Sequence, residues 1–263
     1  MDRVSTGVKG LDNMLNGGLI AGRPYVVTGD PGTGKTTLGI QFLLEGIRND
    51  ENVILCALDE PPSEIKANAQ GFGFDIDSVR ILDAVPDIRS LRRGGPILDI
   101  GTVLDFQTMR DVREIRPSRR MGTVEVSIHS VQKMLNQEAQ DFYEDEGESY
   151  SRVVVDSMTA LKMFGMGGED HRILIQSFMR FLAEWEVTAL IITELQEPEE
   201  IDTDVFLSRG EIRLRKEQSK NRMVRGVSIE KMRGTNFDES IRPMRISSSG
   251  IEVDNKGRFG ADK

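Results

Sequence analysis

The sequence predicts an α/β fold: a mainly parallel sheet flanked by helices, with an antiparallel hairpin toward the C-terminus. Three observations carry that expectation. Short apolar runs of strand length recur at 26–28, 53–58, 153–155 and 189–193. They are continuous rather than alternating, as strands covered on both faces are. Helical patterns stand between them, and after Phe206 the pattern changes to strict alternation.

Taken in order, Val26-Val27-Thr28 is a β-rich run that stops at the glycine-rich stretch Gly29 to Gly34. A helix follows from Lys35 to Arg48, with Leu38, Phe42 and Leu43 near helical spacing. Asn49 to Asn52 is a polar turn, and Val53 to Leu58 is a buried strand. Pro61-Pro62-Ser63-Glu64 opens another helix, since proline is tolerated in a first turn. Glu144 to Glu148 reads as an acidic surface loop. Val153 to Val155 and Ala189 to Thr193 are two further strands, and between them Asp170 to Glu186 is an amphipathic helix with Ile173, Phe178, Phe181, Leu182 and Trp185 inward. Glu211 to Arg215 and Val224 to Lys231 form the hairpin. Residues 88–122 fit least well. They hold eight arginines in an otherwise acidic protein and read as an insertion into a single domain spanning 1–263.

Composition narrows the function. Thirty-four basic against 43 acidic residues leave a net charge of −9, which weighs against nucleic-acid binding over the whole surface but permits local basic patches. A single cysteine, Cys56, excludes an intramolecular disulfide framework and a cysteine-rich metal site. The first residues lack the apolar core of a signal peptide, and no run reaches the roughly 18–20 apolar residues of a spanning helix, so a cytoplasmic protein without membrane association is expected. His129 and His171 stand far apart without nearby cysteine and read as structural or surface residues.

The chemistry is concentrated at Gly29-Asp30-Pro31-Gly32-Thr33-Gly34-Lys35-Thr36, which satisfies G-x-x-x-x-G-K-[ST] between a strand and a helix. The glycines let successive N–H groups turn toward phosphate oxygens, and the helix N-terminus adds its positive end. Lys35 supplies a point charge to the β- and γ-phosphates, the Thr36 hydroxyl ligates Mg²⁺, and Thr37 follows among the nucleotide contacts. Val153-Val154-Val155-Asp156 delivers a carboxylate from a buried strand, so Asp156 is the second Mg²⁺ candidate. Asp59 and Glu60 end the strand after the P-loop helix, where ligands of open α/β sheets bind. One of them could serve as general base. Thr193-Glu194, ending another strand, is a γ-phosphate-sensing candidate.

These residues, with Val4 to Asp12 and Asn16-Gly17-Gly18-Leu19 before the P-loop, Asp59 to Ile65, Val155 to Leu161, Lys231-Met232-Arg233-Gly234-Thr235 and Ile246 to Ile251, resemble a single KaiC-type domain of the RecA superfamily of ATPases. The resemblance covers nearly the whole chain outside about 88–122. It implies a RecA-like P-loop NTPase core, ATP with Mg²⁺, and a homo-oligomeric ring, usually hexameric, with nucleotide between subunits. It also implies that Lys231 and Arg233 reach the γ-phosphate of the neighbouring subunit, with Met232 and Thr235 among the nucleotide contacts. Residues two apart on a strand share a face, which suits two cations meeting one phosphate.

Three departures from the family pattern matter. Its usual pair of glutamates is Asp59-Glu60 here, and a histidine common after the Lys-Met-Arg-Gly motif is replaced by Phe237. The clock proteins of the family carry two such domains where this chain has one, and their Ser/Thr autophosphorylation pair near the hairpin has no convincing counterpart, Thr203 being a weak candidate, so circadian timekeeping is not inferred. Two other readings stand beside the ATPase ring. One is a recombination-mediator-like protein, as in archaeal RadA paralogues, using the arginines at 89–120 and 209–225 to bind single-stranded DNA. The interleaved Glu211, Glu217 and Glu230 favour a solvated hairpin instead. The other is an ATP-dependent autokinase or signalling scaffold with a protein partner.

Overall fold

The computed structural model describes residues 1–85, 128–160, 169–195, 203–219 and 222–260. The arginine-rich stretch 88–122 and the side chains of His171 and Thr203 lie outside them. The chain opens with β1 (Arg3–Val4), α1 (Lys9–Met14), β2 (Leu19–Ile20), β3 (Pro24–Gly29) and α2 (Lys35–Arg48). Then come β4 (Val53–Ala57), α3 (Pro62–Gly71), β5 (Arg80–Asp83), α4 (Ile128–Glu146) and β6 (Arg152–Asp156). It continues with α5 (Glu169–Glu184), β7 (Thr188–Thr193), α6 (Thr203–Leu207), β8 (Gly210–Ser219), β9 (Arg222–Met232), β10 (Arg242–Ser247) and β11 (Gly250–Val253).

Among the described residues nine strands form one sheet in the order β11-β10-β9-β8-β3-β7-β6-β4-β5. From β8 to β5 all neighbours are parallel, while β8 to β11 pair antiparallel. The expected mixed α/β architecture and the hairpin are therefore both present, and α2 has the bounds expected for it. The central strands are apolar on both faces because both are covered. Tyr25, Val27, Val154, Leu190 and Ile192 join one core cluster with α1, α2 and α3. Their strand neighbours Val26, Val153, Val155, Ala189 and Ile191 join the other with α4 and α5.

Two expectations need correction. Ile173 is 60% exposed. The inward stripe of α5 is Ile175, Phe178, Met179 and Leu182, all buried. At about 100° per residue Ile173 lies roughly 200° from Ile175, on the opposite side of the helix. The acidic run 144–148 is not wholly a loop. Glu144 to Glu146 form the last turn of α4, which Gly147 ends at φ +72 with its N–H donated to Tyr143 O at 3.0 Å. That helix has a legible apolar stripe, Ile128, Val131 and Leu135, all buried. Among the described residues no helix is long and apolar enough to cross a membrane.

One buried cation ties the N-terminal segment, α2 and the turn after α2 to the start of β6. Arg152, 1% exposed at the start of β6, ion-pairs with Glu51. Its Nη1 donates to Ser5 O at 2.7 Å and Phe42 O at 2.9 Å, and the guanidinium lies 4.7 Å from the centre of the Phe42 ring. Removing it orphans two carbonyls and a carboxylate and opens a cavity. Arg152→Ala should lower stability by about 3 kcal/mol, read as a fall in the urea midpoint, and Arg152→Lys should recover little because lysine lacks the fork that meets three acceptors.

Candidate functional site

Parallel register brings four strand ends together. In the sheet β3, β7, β6 and β4 are consecutive neighbours, with Thr28 beside Thr193 and Asp156 beside Ala57. Each strand releases a polar residue at the same carboxyl edge: the P-loop from β3, Glu194 from β7, Asp156 from β6, and Asp59-Glu60 just past β4.

The P-loop needs glycine for two different reasons. At Gly29 (φ +148) a Cβ would stand 2.3 Å from Leu214 O, because β8 passes directly alongside. Gly34 caps α2 in the left-handed region (φ +104), where a Cβ would meet Ile246 Cδ1 at 2.7 Å. Thr33, fully buried, braces the turn by donating to Asp30 O at 2.8 Å, while Asp30 and Pro31 are exposed. No side chain caps the first turn of α2. The N–H groups of that turn are thus left without a side-chain cap, as donors of the kind a phosphate takes.

Lys35 is 9% exposed and its ammonium turns back onto the loop, donating to Gly29 O at 2.8 Å and Asp30 O at 3.1 Å. Glu194 stands 3.8 Å away. Desolvation pulls the Lys35 pKa down, against the attraction of Glu194, Asp156, Asp30 and Asp59. The Thr36 hydroxyl is close enough to the Asp156 carboxylate to favour its charged form, so the two expected Mg²⁺ ligands lie near one another. Burial pushes the Asp156 carboxyl up to about 6; Asp59 and Glu60 add to the rise and the nearby Thr36 hydroxyl opposes it. Burial likewise raises Asp59, whose carboxylate accepts a 2.5 Å hydrogen bond from Ser157. The peptide bond joining Asp156 and Ser157 is cis. Glu60 is exposed and accepts from Asn68 at 2.9 Å.

Among the described residues no three His, Cys, Asp or Glu are placed to hold a metal. A hydroxyl and one carboxylate beside a phosphate cradle are nonetheless a hard-oxygen set of the kind Mg²⁺ uses, with phosphate and water filling its other positions.

The remaining expected residues lie elsewhere. β9 runs antiparallel to β8, pairing Val227 with Leu214 at the P-loop end and Met232 with Gly210 at the other. Lys231 and Arg233 thus emerge at the amino edge, away from their own P-loop. The structure does bring them together: Lys231 Nζ donates to Val205 O at 2.7 Å and Phe206 O at 3.0 Å, and Arg233 Nη2 donates to Phe206 O at 3.4 Å. Burial and the Arg233 charge lower the Lys231 pKa. The Met232 side chain points into the core, leaving only its main chain for a ligand. Thr37 is buried in α2, Thr235 is half-buried, Phe237 packs against the core, and His129 is exposed.

Three residues near the loop have roles the sequence did not single out. Ser157 links the β6 and β4 ends. Arg225 donates to Gly32 O at 3.4 Å, and the Lys216 ammonium stands 3.8 Å from where a Gly32 side chain would begin. Two other hairpin cations are engaged within the chain. Arg213 pairs with Glu211 at 2.7 Å and Arg215 with Glu230 at 2.5 Å.

The raised Asp156 gives a signed expectation for the protein free of magnesium and nucleotide. The folded chain binds this proton more tightly than the unfolded chain, whose carboxyl titrates near 4, so stability falls as pH rises from about 4 through about 6. Asp156→Asn should raise the urea midpoint at pH 7.5, by a free energy on the order of 2 kcal/mol, and the gain should shrink as pH is lowered to 5.

Comparison with known proteins agrees with this geometry. A family model described as "ATPase: KaiC" matches residues 4–90 and 101–258. A UPF0273 protein of Methanopyrus kandleri is 26% identical over 257 residues, covering 97% of this chain and 92% of its own length. A UPF0273 protein of Pyrococcus horikoshii is 28% identical over 256 residues, covering 95% and 93%. A circadian clock oscillator protein KaiC of Rippkaea orientalis is 27% identical over 97% of this chain but only 43% of its own length. With a P-loop at the carboxyl edge of a mainly parallel sheet and a family match over nearly its full length, the chain belongs to the KaiC-type ATPases.

Proposed function

We propose that the protein is a regulatory ATPase that assembles as a homo-oligomeric ring, hexameric by family resemblance, with ATP bound between neighbouring copies. One observation carries the reading: the P-loop and the Lys231–Arg233 pair lie at opposite edges of the same sheet. A chain with both features cannot use them on one phosphate, whereas a second copy can supply what the first lacks.

The ATP triphosphate lies in the loop 29–34 against the N–H groups of the first turn of α2, where Thr37 completes the helical cradle. Lys35 exchanges its bonds to the Gly29 and Asp30 carbonyls for β- and γ-phosphate oxygens. The Thr36 hydroxyl and the Asp156 carboxylate would hold magnesium, which would supply charge neutralisation at the phosphates. A water attacks the γ-phosphorus in line, its proton passes to the Asp59–Glu60 carboxylate pair, and the bond to the bridging oxygen breaks to give ADP and phosphate. Ser157 and Asn68 hold those carboxylates in place. Glu194, facing Lys35, senses whether the γ-phosphate is present. From the adjoining copy Lys231 and Arg233 stabilise charge on the transferring group, while the main chain at Met232 and the Thr235 side chain line the nucleotide.

The test is hydrolysis combined with mass measurement. Lys35→Ala should reduce turnover by at least 100-fold, and so should Lys231→Ala. Mixing Lys231→Ala with an excess of Lys35→Ala should restore activity, because each contributes the half the other has lost. A chain whose mass stays that of a monomer with a non-hydrolysable ATP analogue, or an active Lys35→Ala variant, would reject the assignment.

A further inference from the structure

The cation-bearing segment leaves the sheet where its function would begin. β9 ends at Met232 and Gly234 follows at φ +85; the Arg233 N–H still donates to Arg209 O at 2.8 Å, but Gly234 and Thr235 lie beyond the strand ladder. Further support for this segment comes from the other end of the sequence. Arg3, half-buried in the two-residue strand β1, spreads its guanidinium across three acceptors: Nη1 donates to Leu15 O at 2.6 Å and Gly18 O at 2.7 Å, and Nη2 donates to Thr235 Oγ1 at 2.5 Å. Further ties run between the same two regions. Arg23 Nη1 donates to Arg233 O at 3.2 Å, Asn16 Nδ2 to Asn236 O at 2.8 Å, and the Asp238 N–H to Met14 O at 2.8 Å.

We infer that Arg3 is a positioning residue for ATP hydrolysis in the adjoining copy, holding the Lys231–Thr235 segment in the pose that meets a neighbour's phosphates. The inference rests on the shared-pocket reading above. Its physical basis is the shape of the contact. A planar guanidinium anchored on two main-chain carbonyls of the α1–β2 turn has one direction left, and that direction fixes Thr235. Arg233 lies two residues away and is exposed, so its reach depends on where its main chain is held. Cations act on a transferring phosphate only when preorganised, and a displacement of about 1 Å can cost on the order of 100-fold in rate. The brace leaves the P-loop of its own chain untouched, since that lies at the far edge of the sheet.

The test separates which half of the pocket a variant damages. Arg3→Ala should lower kcat at least tenfold with little change in KM, and Arg3→Lys, which keeps the charge but loses the fork, should be nearly as slow. If Arg3→Ala does not fold, judged by circular dichroism, Arg3→Lys replaces it in the mixing experiment. Mixed with an excess of Lys35→Ala chains, whose braces are intact, the Arg3 variant should regain most of the wild-type turnover per functional P-loop. Wild-type kcat in the Arg3 variants, or a slow variant that stays slow when Lys231→Ala is rescued in the same mixture, overturns the inference and leaves the shared pocket standing. Failure of both mixtures to recover overturns the shared pocket and the inference together.

Discussion

A single ammonium group surrounded by carboxylates at the carboxyl edge of a parallel sheet is the constraint on which this structure depends. Lys35 has Glu194, Asp156, Asp30 and Asp59 as its electrostatic neighbours, and it has largely lost its water. Its own loop carbonyls solvate it in place of water. The grouping follows from the core. The alternation that sends Val153 and Val155 to one apolar cluster and Val154 to the other fixes the register of β6. Slipping that strand by one residue would reverse every side chain, so the core that holds the strand also determines where Asp156 emerges. A desolvated carboxyl pushed up to about 6 is the energetic trace of that placement. The position is costly for the fold by itself and, in the proposed reading, is offset when a cation binds, as at sites where stability is exchanged for function.

What is legible in the sequence is what short-range chemistry dictates. Buried parallel strands announce themselves as continuous apolar runs, so β3, β4, β6 and β7 stand out, and the P-loop can be read because its backbone demands are expressed as glycines at Gly29 and Gly34. The α5 helix is legible, but its inward face is narrower than its apolar residues suggest: Ile173 is apolar, yet apolarity alone does not say which side of a helix meets the sheet. Helix α4 escapes a reading of the sequence although Ile128, Val131 and Leu135 are correctly spaced, because the long acidic run beyond them points toward a loop. The site residues that stay hidden are long-range partners. Nothing near Ser157 signals that it meets Asp59, and nothing near Arg225 or Lys216 signals the approach to Gly32, since these contacts are set by strand order. Spacing two apart puts Lys231 and Arg233 on one side of the chain, and both donate to Phe206 O.

The sheet therefore gives the molecule two poles. At one edge, the P-loop stands among carboxylates released by the neighbouring strands. At the other, cations are solvated by the carbonyls of α6 and braced from the N-terminus. This division decides which effects can be local. A change at the carboxyl edge acts on what the chain itself holds. A change at Arg3, Arg23 or Thr235 acts, in the shared-pocket reading, on what the neighbour holds.

The state of Lys231 shows why bracing would matter more than charge. Its ammonium is partly desolvated, lies near a second cation, and has its pKa lowered in consequence, yet it donates to two carbonyls at 2.7 and 3.0 Å. Meeting a phosphate would require exchanging neutral acceptors for a charged one, a favourable step because charge-assisted hydrogen bonds are roughly twice as strong. That gain is realised only where geometry is supplied beforehand; otherwise the entropy of ordering two long side chains offsets it. Main-chain ties at Arg233 and Asn236 and the side-chain tie at Thr235 fix the backbone while leaving the two cationic side chains able to turn. A segment held in this way can change its acceptors without changing its position, which is what a contribution from one copy to the reaction of the next demands.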